Sequence, residues 1–238
     1  MKSLNLIFIL TISTLLFSCQ KKWEIVNINK ELNAFDTLIL NDVFEVHLIQ
    51  GNQNSIRMEG SKKILDNIQL DVKSNSLSIS NNFSMSWIHP SKSKVKLFIT
   101  FDTLSLIVAN ETCNILSDNK LYATELGLIM KSKLNHAELE VEAKSFYYWN
   151  NFPCGGTVKL SGQVDQLMLL NVALMAVDSK NLSCKIANIE NASKGDIKIN
   201  CSQKLNYSIL GEGNIYLKGN PQNVIPGEIK GSGSLIKE

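Results

Sequence analysis

The acidic residues that could do chemistry in this chain are well separated from one another. Cleavage of a polysaccharide requires carboxylates that converge as general acid and base or as calcium ligands. Asp165, Asp178, Asp196 and Glu212 show no such clustering in the sequence. Arg57, the only arginine, lies far before them. These observations predict a protein that is not an enzyme.

Histidines and cysteines bind a metal only when their spacing brings them together. His47, His89 and His136 are isolated, and no close pair of cysteines occurs. We therefore predict no metal and no cofactor. The cysteines of the domain are either small apolar core residues, which we favour, or disulfide pairs of an exported protein. They are Cys113, Cys154, Cys184 and Cys201.

The charge of the chain restricts its partners. The formal net charge is +2, and no block of lysines or arginines occurs. Binding to nucleic acid requires clustered cationic side chains that displace counterions from phosphates. The sequence therefore argues against nucleic acid and favours a glycan or a protein as partner.

Aromatic residues are the clearest candidates for binding. Phe146, Tyr147, Tyr148 and Trp149 follow one another, and Phe152 comes shortly after them. Because side chains alternate between the two faces of a strand, either Phe146 and Tyr148 or Tyr147 and Trp149 should face the core. The other pair would be open to a sugar or a protein, unless packing covers both faces. Our candidate binding residues are Tyr147, Trp149 and Phe152.

A second apolar group lies in the longest irregular stretch, residues 81–94. It contains Phe83, Met85, Trp87 and Ile88. A loop this apolar either folds back as a cap on an open sheet edge, which we favour, or docks on a partner. Trp87 is the candidate binding residue of this segment.

The elements that must position these residues are short strands of an all-β fold. Apolar strands and small-residue turns recur with a period of about twenty residues, which is typical of coils that stack on their neighbours. The apolar residues after successive turns are Ile115, Leu139, Val158, Val177, Ile197, Ile215 and Leu235. Turns that must let the next coil approach closely favour glycine. We assign this structural role to Gly211, Gly213, Gly219, Gly231 and Gly233.

The N-terminus predicts export and a lipid anchor. Residues 1–18 read as a signal peptide, because the apolar run after Lys2 is too short to span a bilayer. The segment Leu16-Phe17-Ser18-Cys19 resembles a bacterial lipobox. This resemblance implies lipid attachment at Cys19 and places the protein in the cell envelope, at the outer membrane.

The rest of the chain is expected to form a tether and one domain. Residues 19–30 would be the tether. Residues 31–238 would form a single solenoid domain, with a less regular part over 31–100 and the repeats over 101–238. The length after removal of the signal peptide is enough for one repetitive domain or for two small ones, and the repeat favours one.

The chain resembles the head GIN domain family of auto-transporter adhesins in three segments. They are Val43-Phe44-Glu45-Val46-His47-Leu48-Ile49-Gln50-Gly51, Lys73-Ser74-Asn75-Ser76-Leu77-Ser78-Ile79, and the C-terminal stretch Gly211 to Pro221 followed by Gly231-Ser232-Gly233. The resemblance implies a right-handed β-helix-like solenoid with coils of about twenty residues, in agreement with the sequence period.

The resemblance also implies a function. It favours a non-catalytic lipoprotein of the cell envelope with adhesin-like binding of a surface glycan or protein. The alternatives are a carbohydrate-active enzyme on a β-helix and a purely structural envelope protein. The chain departs from the family at three turns, where bulkier side chains should project. These turns are Asn110-Glu111-Thr112-Cys113, Lys133-Leu134-Asn135-His136 and Ala173-Leu174-Met175-Ala176.

Overall fold

A computed structural model describes residues 24–83, 94–151 and 153–238 of the chain. The protein is a β-solenoid of about 6 turns with coils of ~21 residues, and 71% of it is strand. The predicted all-β solenoid is thus confirmed. The signal peptide, Cys19, Trp87 and Phe152 lie outside the described residues.

Parallel strands from successive coils make up the body of the solenoid. Each coil stacks on the previous one, so the backbone hydrogen bonds run between coils about 4.8 Å apart. The strands are β8 (Leu106–Ala109), β9 (Cys113–Ser117), β10 (Leu121–Met130), β11 (Asn135–Asn150), β12 (Gly155–Ser193), β13 (Ile197–Ile209), β14 (Ile215–Lys218), β15 (Asn223–Ile229) and β16 (Leu235–Lys237). The longest of them, β12, follows the path of almost two coils, since its first part pairs with β11 and its last part with β13.

The stacking begins earlier than the sequence repeat. Strand β2 (Thr37–Leu40) pairs in parallel with β8, and β3 (Phe44–Gln50) pairs in parallel with β9. These two strands therefore form a first coil inside the part predicted to be less regular. This coil cannot be recognised from the repeat, because a long excursion, residues 51–105, separates it from the next coil.

Strands of this excursion, together with β1 (Ile25–Glu31), cap the N-terminal end of the solenoid. Strand β7 (Lys96–Phe101) pairs in parallel with β3, and β6 (Ser76–Asn81) pairs in parallel with β2. Antiparallel pairs follow outward, with β4 (Ser55–Ser61) on β7, β1 on β4, and β5 (Ile68–Lys73) on β6. A single helical turn, α1 (Lys62–Leu65), joins β4 to β5. Residues 25–30, which we expected in the tether, instead lie in β1, because Val26 and Ile28 pack against the core.

The interior is filled by columns of apolar side chains. One column contains Leu38, Ile107, Leu128, Tyr148 and Leu169, all of them fully buried. Burial of a leucine or isoleucine side chain contributes about 1.5–3 kcal/mol. The residues that fill the interior of each coil therefore also pack against the neighbouring coils and stabilise the stack.

One predicted member of the repeat was wrong by two positions. The ladder that contains Ile115 and Val158 continues through Ala137, and Leu139 instead pairs with Leu160. The remaining pairs recorded along this ladder, from Val177 through Ile197 and Ile215 to Leu235, follow the predicted order. The error arose because Ala137 is small and Leu139 is the first large aliphatic residue after that turn.

The turn glycines lie where successive coils come into contact. A β-carbon on Gly213 would overlap the carbonyl oxygen of Gly195, and one on Gly233 would overlap that of Gly213. Gly211 and Gly231 are similarly crowded by backbone of the preceding coil. Gly219 differs, because its φ of +97° is a left-handed conformation that side chains rarely adopt.

Candidate binding surface

The aromatic run of β11 alternates between the core and the outside. Phe146 and Tyr148 are buried, with 1% and 0% of their surface exposed. Tyr147 and Trp149 therefore point outward, and Trp149 is 39% exposed. This result decides between the two arrangements that the sequence left open.

Trp149 lies on an apolar surface that crosses five coils, in the fourth of them. Parallel register places outward residues of neighbouring coils side by side. We call this surface the outer strip. It consists of Ile39, Val108, Ile129, Trp149 and Leu170 in one column and Leu106, Gly127, Tyr147 and Met168 in the adjacent one. The longer column extends about 19 Å along the solenoid, given the spacing between strands.

The ring of Tyr147 lies over Gly127 of the neighbouring coil. A β-carbon on Gly127 would overlap the ring of Tyr147, so the ring occupies the space that a side chain at this position would fill. Burial, followed by the nearby carboxylate of Glu125, raises the pKa of the Tyr147 phenol. Tyr147 is therefore a packed neighbour of Trp149 and contributes its ring edge to the surface.

Polar residues bound the outer strip at both ends. On the N-terminal side, Ser76 and Ser78 pair with Thr37 and Ile39. On the C-terminal side, a shallow depression lined by Met168 and Leu170 continues into Asn188 and Glu190. Asn188 and Glu190 thus interrupt the apolar surface, and beyond them the same depression reaches Tyr207, Ile225 and Pro226.

Two of the bulky turns project apolar side chains into solvent, as predicted. Leu134 is 52% exposed and Leu174 is 60% exposed. In the second turn Ala173 adopts a φ of 64°, a backbone conformation that favours glycine. These leucines lie on turns that directly follow the strands of the outer strip, so they extend the apolar surface around the corner of the coil.

The acidic residues weighed for catalysis lie on separate coils and have partners of their own. Asp165 forms an ion pair with Lys185 at 2.7 Å, and Glu212 pairs with Lys194 at 3.1 Å. Asp196 accepts a hydrogen bond from the backbone N–H of Asn214. Within the described part of the chain, no three histidine, cysteine or acidic side chains are grouped as metal ligands.

The opposite face of the solenoid carries charged and aromatic residues in contact with each other. The His47 ring stacks on Phe98 with 4.5 Å between centroids, and its Nδ1 lies 2.7 Å from Asp118. The Arg57 guanidinium lies 3.7 Å from the centroid of Phe98. Hydrogen bonding to Lys96 lowers the pKa of Glu45. These groups satisfy one another, so this face offers less unpartnered surface than the outer strip.

The cysteines are buried in the interior and unbonded. Burial raises the pKa of the Cys113 thiol to about 12, which keeps it protonated. Cys184 and Cys201 lie opposite each other on neighbouring coils, where their shared hydrogen bond raises the pKa of Cys184 and lowers that of Cys201. All four act as the small core residues that the sequence favoured.

Most of the outer strip could not be identified from the sequence. Tyr147 and Trp149 were named, but Ile129, Met168 and Leu170 were not, because single aliphatic residues resemble ordinary core positions. The repeat period could have identified these neighbours. The residues one coil before and one coil after Trp149 are Ile129 and Leu170.

The described residues form a solenoid domain with an exposed apolar surface at Trp149, and its family follows from its sequence. The chain belongs to the family described as "Putative auto-transporter adhesin, head GIN domain", whose profile matches residues 34–221. A search of curated protein sequences finds no match.

Solved structures share the fold. A protein from Bacteroides fragilis described as a putative adhesin has a TM-score of 0.82 at 20% identity, with 90% of this chain and 97% of that chain covered. A putative adhesin from Parabacteroides merdae has a TM-score of 0.61 at 13% identity, covering 91% and 97%. A protein from Parabacteroides distasonis described as a putative lipid binding protein has a TM-score of 0.64 at 13% identity, covering 91% and 98%.

No helix among residues 24–83, 94–151 and 153–238 has the length and apolar character needed to cross a membrane.

Proposed function

We propose that the protein is a non-catalytic, adhesin-like binding module that contacts a protein partner through the outer strip. The observation that carries this proposal is the exposure of Trp149, which lies between the apolar residues Ile129 and Leu170 on the outside of the solenoid. Large exposed apolar patches on soluble domains mark interaction sites. The family of adhesins to which the chain belongs supports the same class of function.

The composition of the outer strip favours a protein over a glycan at this place. Trp149 is flanked by Ile129 and Leu170 in its own column, so no hydrogen-bonding side chain stands beside it there. Sugar hydroxyls would lose hydrogen bonds to water on such a surface without replacing them. Tryptophan, tyrosine and methionine are enriched at the centres of protein interfaces, and charged residues are depleted.

We further propose that the domain is anchored by lipid at Cys19 on the outer membrane. The lipobox-like segment supports this, and a family of adhesins fits a place in the cell envelope. Several acyl chains would hold the protein firmly, since each buried CH₂ contributes about 0.8 kcal/mol. The outer strip would then meet partners from a tethered position.

A carbohydrate-active enzyme is the weaker alternative. The acids compared above are distributed over different coils, and Asp165 and Glu212 are each neutralised by a lysine. General acid–base cleavage requires two carboxylates in one site with separate environments. A purely structural role would not require Trp149 to be exposed.

An adhesion assay tests the proposed function. Beads coated with the full chain are brought onto surfaces of deglycosylated fibronectin or collagen, and attachment is compared for wild type, Trp149→Ala and the control Tyr216→Ala on another face. We expect Trp149→Ala to reduce attachment at least tenfold, with a melting temperature within a few degrees of wild type. Equal attachment of wild type and Trp149→Ala, or a coated surface that is degraded, would contradict the proposal.

A further inference from the structure

A second surface lies beside the outer strip, where the coils bend between two of their sides. It is an open groove of about 770 Å³ that crosses successive coils. Its walls include Tyr122, Glu125, Glu142, Lys144, Gln163 and Asp165. Neither the sequence repeat nor the family resemblance singles out these residues as a set.

The register of the strands explains the groove. Ala123 pairs with Ala143, and pairing resumes at Glu125 and Ser145 with Thr124 and Lys144 left out. Ala123 and Ala143 lie at the bend and line the groove, and their small side chains leave its bottom open. Because every coil bends at the same place, the groove runs along the solenoid axis and could hold an extended chain.

Tyr122 is an exposed ring on a fixed backbone. It is 57% exposed. Its N–H donates to Oε1 of Gln50 at 2.6 Å, and its carbonyl accepts from Nε2 of the same side chain at 3.0 Å. A ring whose backbone is already held loses little further freedom when a ligand stacks on it.

The charges in and beside the groove nearly cancel. Glu142 pairs with Lys120 at 3.3 Å, and Asp165 pairs with Lys185 at 2.7 Å. Glu125 and Asp36 add negative charge, and Lys144 adds positive charge. Four carboxylates against three lysines leave a small negative excess, so the groove does not attract a polyanion, whereas its carboxylate, amide and ammonium groups can bind hydroxyls.

We propose that this groove binds a neutral, hydroxyl-rich glycan chain that lies along the solenoid axis with one sugar ring stacked on Tyr122. The carboxylates of Glu125 and Glu142 accept hydrogen bonds from sugar hydroxyls, and Lys144 donates to a ring or hydroxyl oxygen. The site is separate from the outer strip, so binding here does not depend on Trp149. It gives the protein a second class of ligand.

A glycan array with neutral, anionic and cationic glycans tests this site. The full chain is purified in a detergent without a sugar headgroup and applied as wild type, Tyr122→Ala, Glu125→Gln and Trp149→Ala. We expect wild type to bind a set of neutral glycans, Tyr122→Ala to lose at least tenfold in apparent affinity, and Glu125→Gln to lose severalfold. Raising the salt concentration should change the affinity less than twofold, because the ligand is uncharged.

The Trp149→Ala variant separates this inference from the proposed function. It should bind the neutral glycans as wild type does, while it loses attachment in the bead assay. Binding only to charged glycans, binding to none, or equal binding by wild type and Tyr122→Ala would overturn the glycan site. Loss of glycan binding in Trp149→Ala would also overturn it, because the groove would then not be an independent site.

Discussion

Alternate side chains of strand β11 have different roles, because they point to opposite faces of the strand. Tyr148 and Phe146 fill the interior, whereas Tyr147 and Trp149, one position away, form part of the outer strip. A shift of the strand by one residue would exchange these roles. The interior columns prevent such a shift, because Tyr148 lies between Leu128 and Leu169.

Tyr148 contributes a buried hydroxyl to this interior column. Among the described residues the hydroxyl has no hydrogen-bond partner, and burial strongly raises the pKa of the phenol. An unsatisfied buried polar group costs about 1–3 kcal/mol. We therefore expect Tyr148→Phe to increase the free energy of unfolding by about 1 kcal/mol or more.

Urea unfolding followed by circular dichroism measures this change. Tyr216→Phe is the matched control, since it removes a hydroxyl from a partly exposed ring and should change stability by less than about 0.5 kcal/mol. A Tyr148→Phe protein that is less stable than wild type would show that the hydroxyl is satisfied in the folded protein.

At the scale of elements, the turns between coils depend on buried asparagines as well as on glycines. Asn150, Asn171 and Asn191 are fully buried on successive coils, the first at the end of β11 and the other two within β12. Nδ2 of Asn191 donates to the carbonyl oxygens of Gly195 at 3.1 Å and Gly213 at 3.0 Å. These amides satisfy turn carbonyls that would otherwise lie buried without a partner.

Gly213 allows this turn to lie directly on the one before it. In Gly213→Ala the new β-carbon would overlap the carbonyl oxygen of Gly195, so the turn must shift and the Asn191 hydrogen bonds must lengthen. We expect a loss of about 1–3 kcal/mol in unfolding free energy, measured by urea unfolding.

Gly51→Ala is the control for this prediction. The nearest atom to its new β-carbon is a methyl of Thr100 at 3.3 Å, and no backbone atom of another coil is in contact. Equal stability of the two variants would show that close stacking at Gly213 does not require glycine.

The strands and turns of the C-terminal coils could be predicted because each repeats a local pattern. The apolar residue after the turn and the glycine within it are visible at Ile197, Ile215 and Leu235. The first coil could not be predicted, because β2 and β3 find their partners across the long N-terminal excursion. The groove was also missed, since it arises from a register irregularity at Thr124 and Lys144.

At the scale of the molecule, the two ends of the solenoid differ in how their edge strands are protected. The N-terminal coil is covered by β6 and β7, which pair with it in parallel and carry further antiparallel strands on their outer side. At the other end, among the described strands, β15 pairs only with β13 and β16 only with β14. Strand β15 contains Pro226, which lacks an N–H, and Glu228 forms an ion pair with Lys230. Proline and charge on an edge strand discourage pairing with another sheet.

Different sides of the solenoid carry surfaces of different chemical character. One side presents the outer strip, the neighbouring bend presents the polar groove, and the side with His47 presents mutually paired charges. If the proposed anchor at Cys19 holds one end of the chain, the outer strip and the groove would both stay open to ligands. The proposed anchor would therefore determine where the proposed binding takes place.

The final prediction concerns this anchor. If Cys19 carries the lipid, cells fed a radioactive fatty acid should label the wild-type chain, and Cys19→Ser should carry no label because its side chain lacks the thiol that is acylated. The wild-type chain should also stay in the membrane pellet after a carbonate wash. Ser13→Ala, a change within the signal segment that keeps Cys19, is the control and should label as wild type does. Fatty-acid label that persists in Cys19→Ser would show that the chain is anchored elsewhere, and an unlabelled wild type would show that the lipobox-like segment is only a signal peptide.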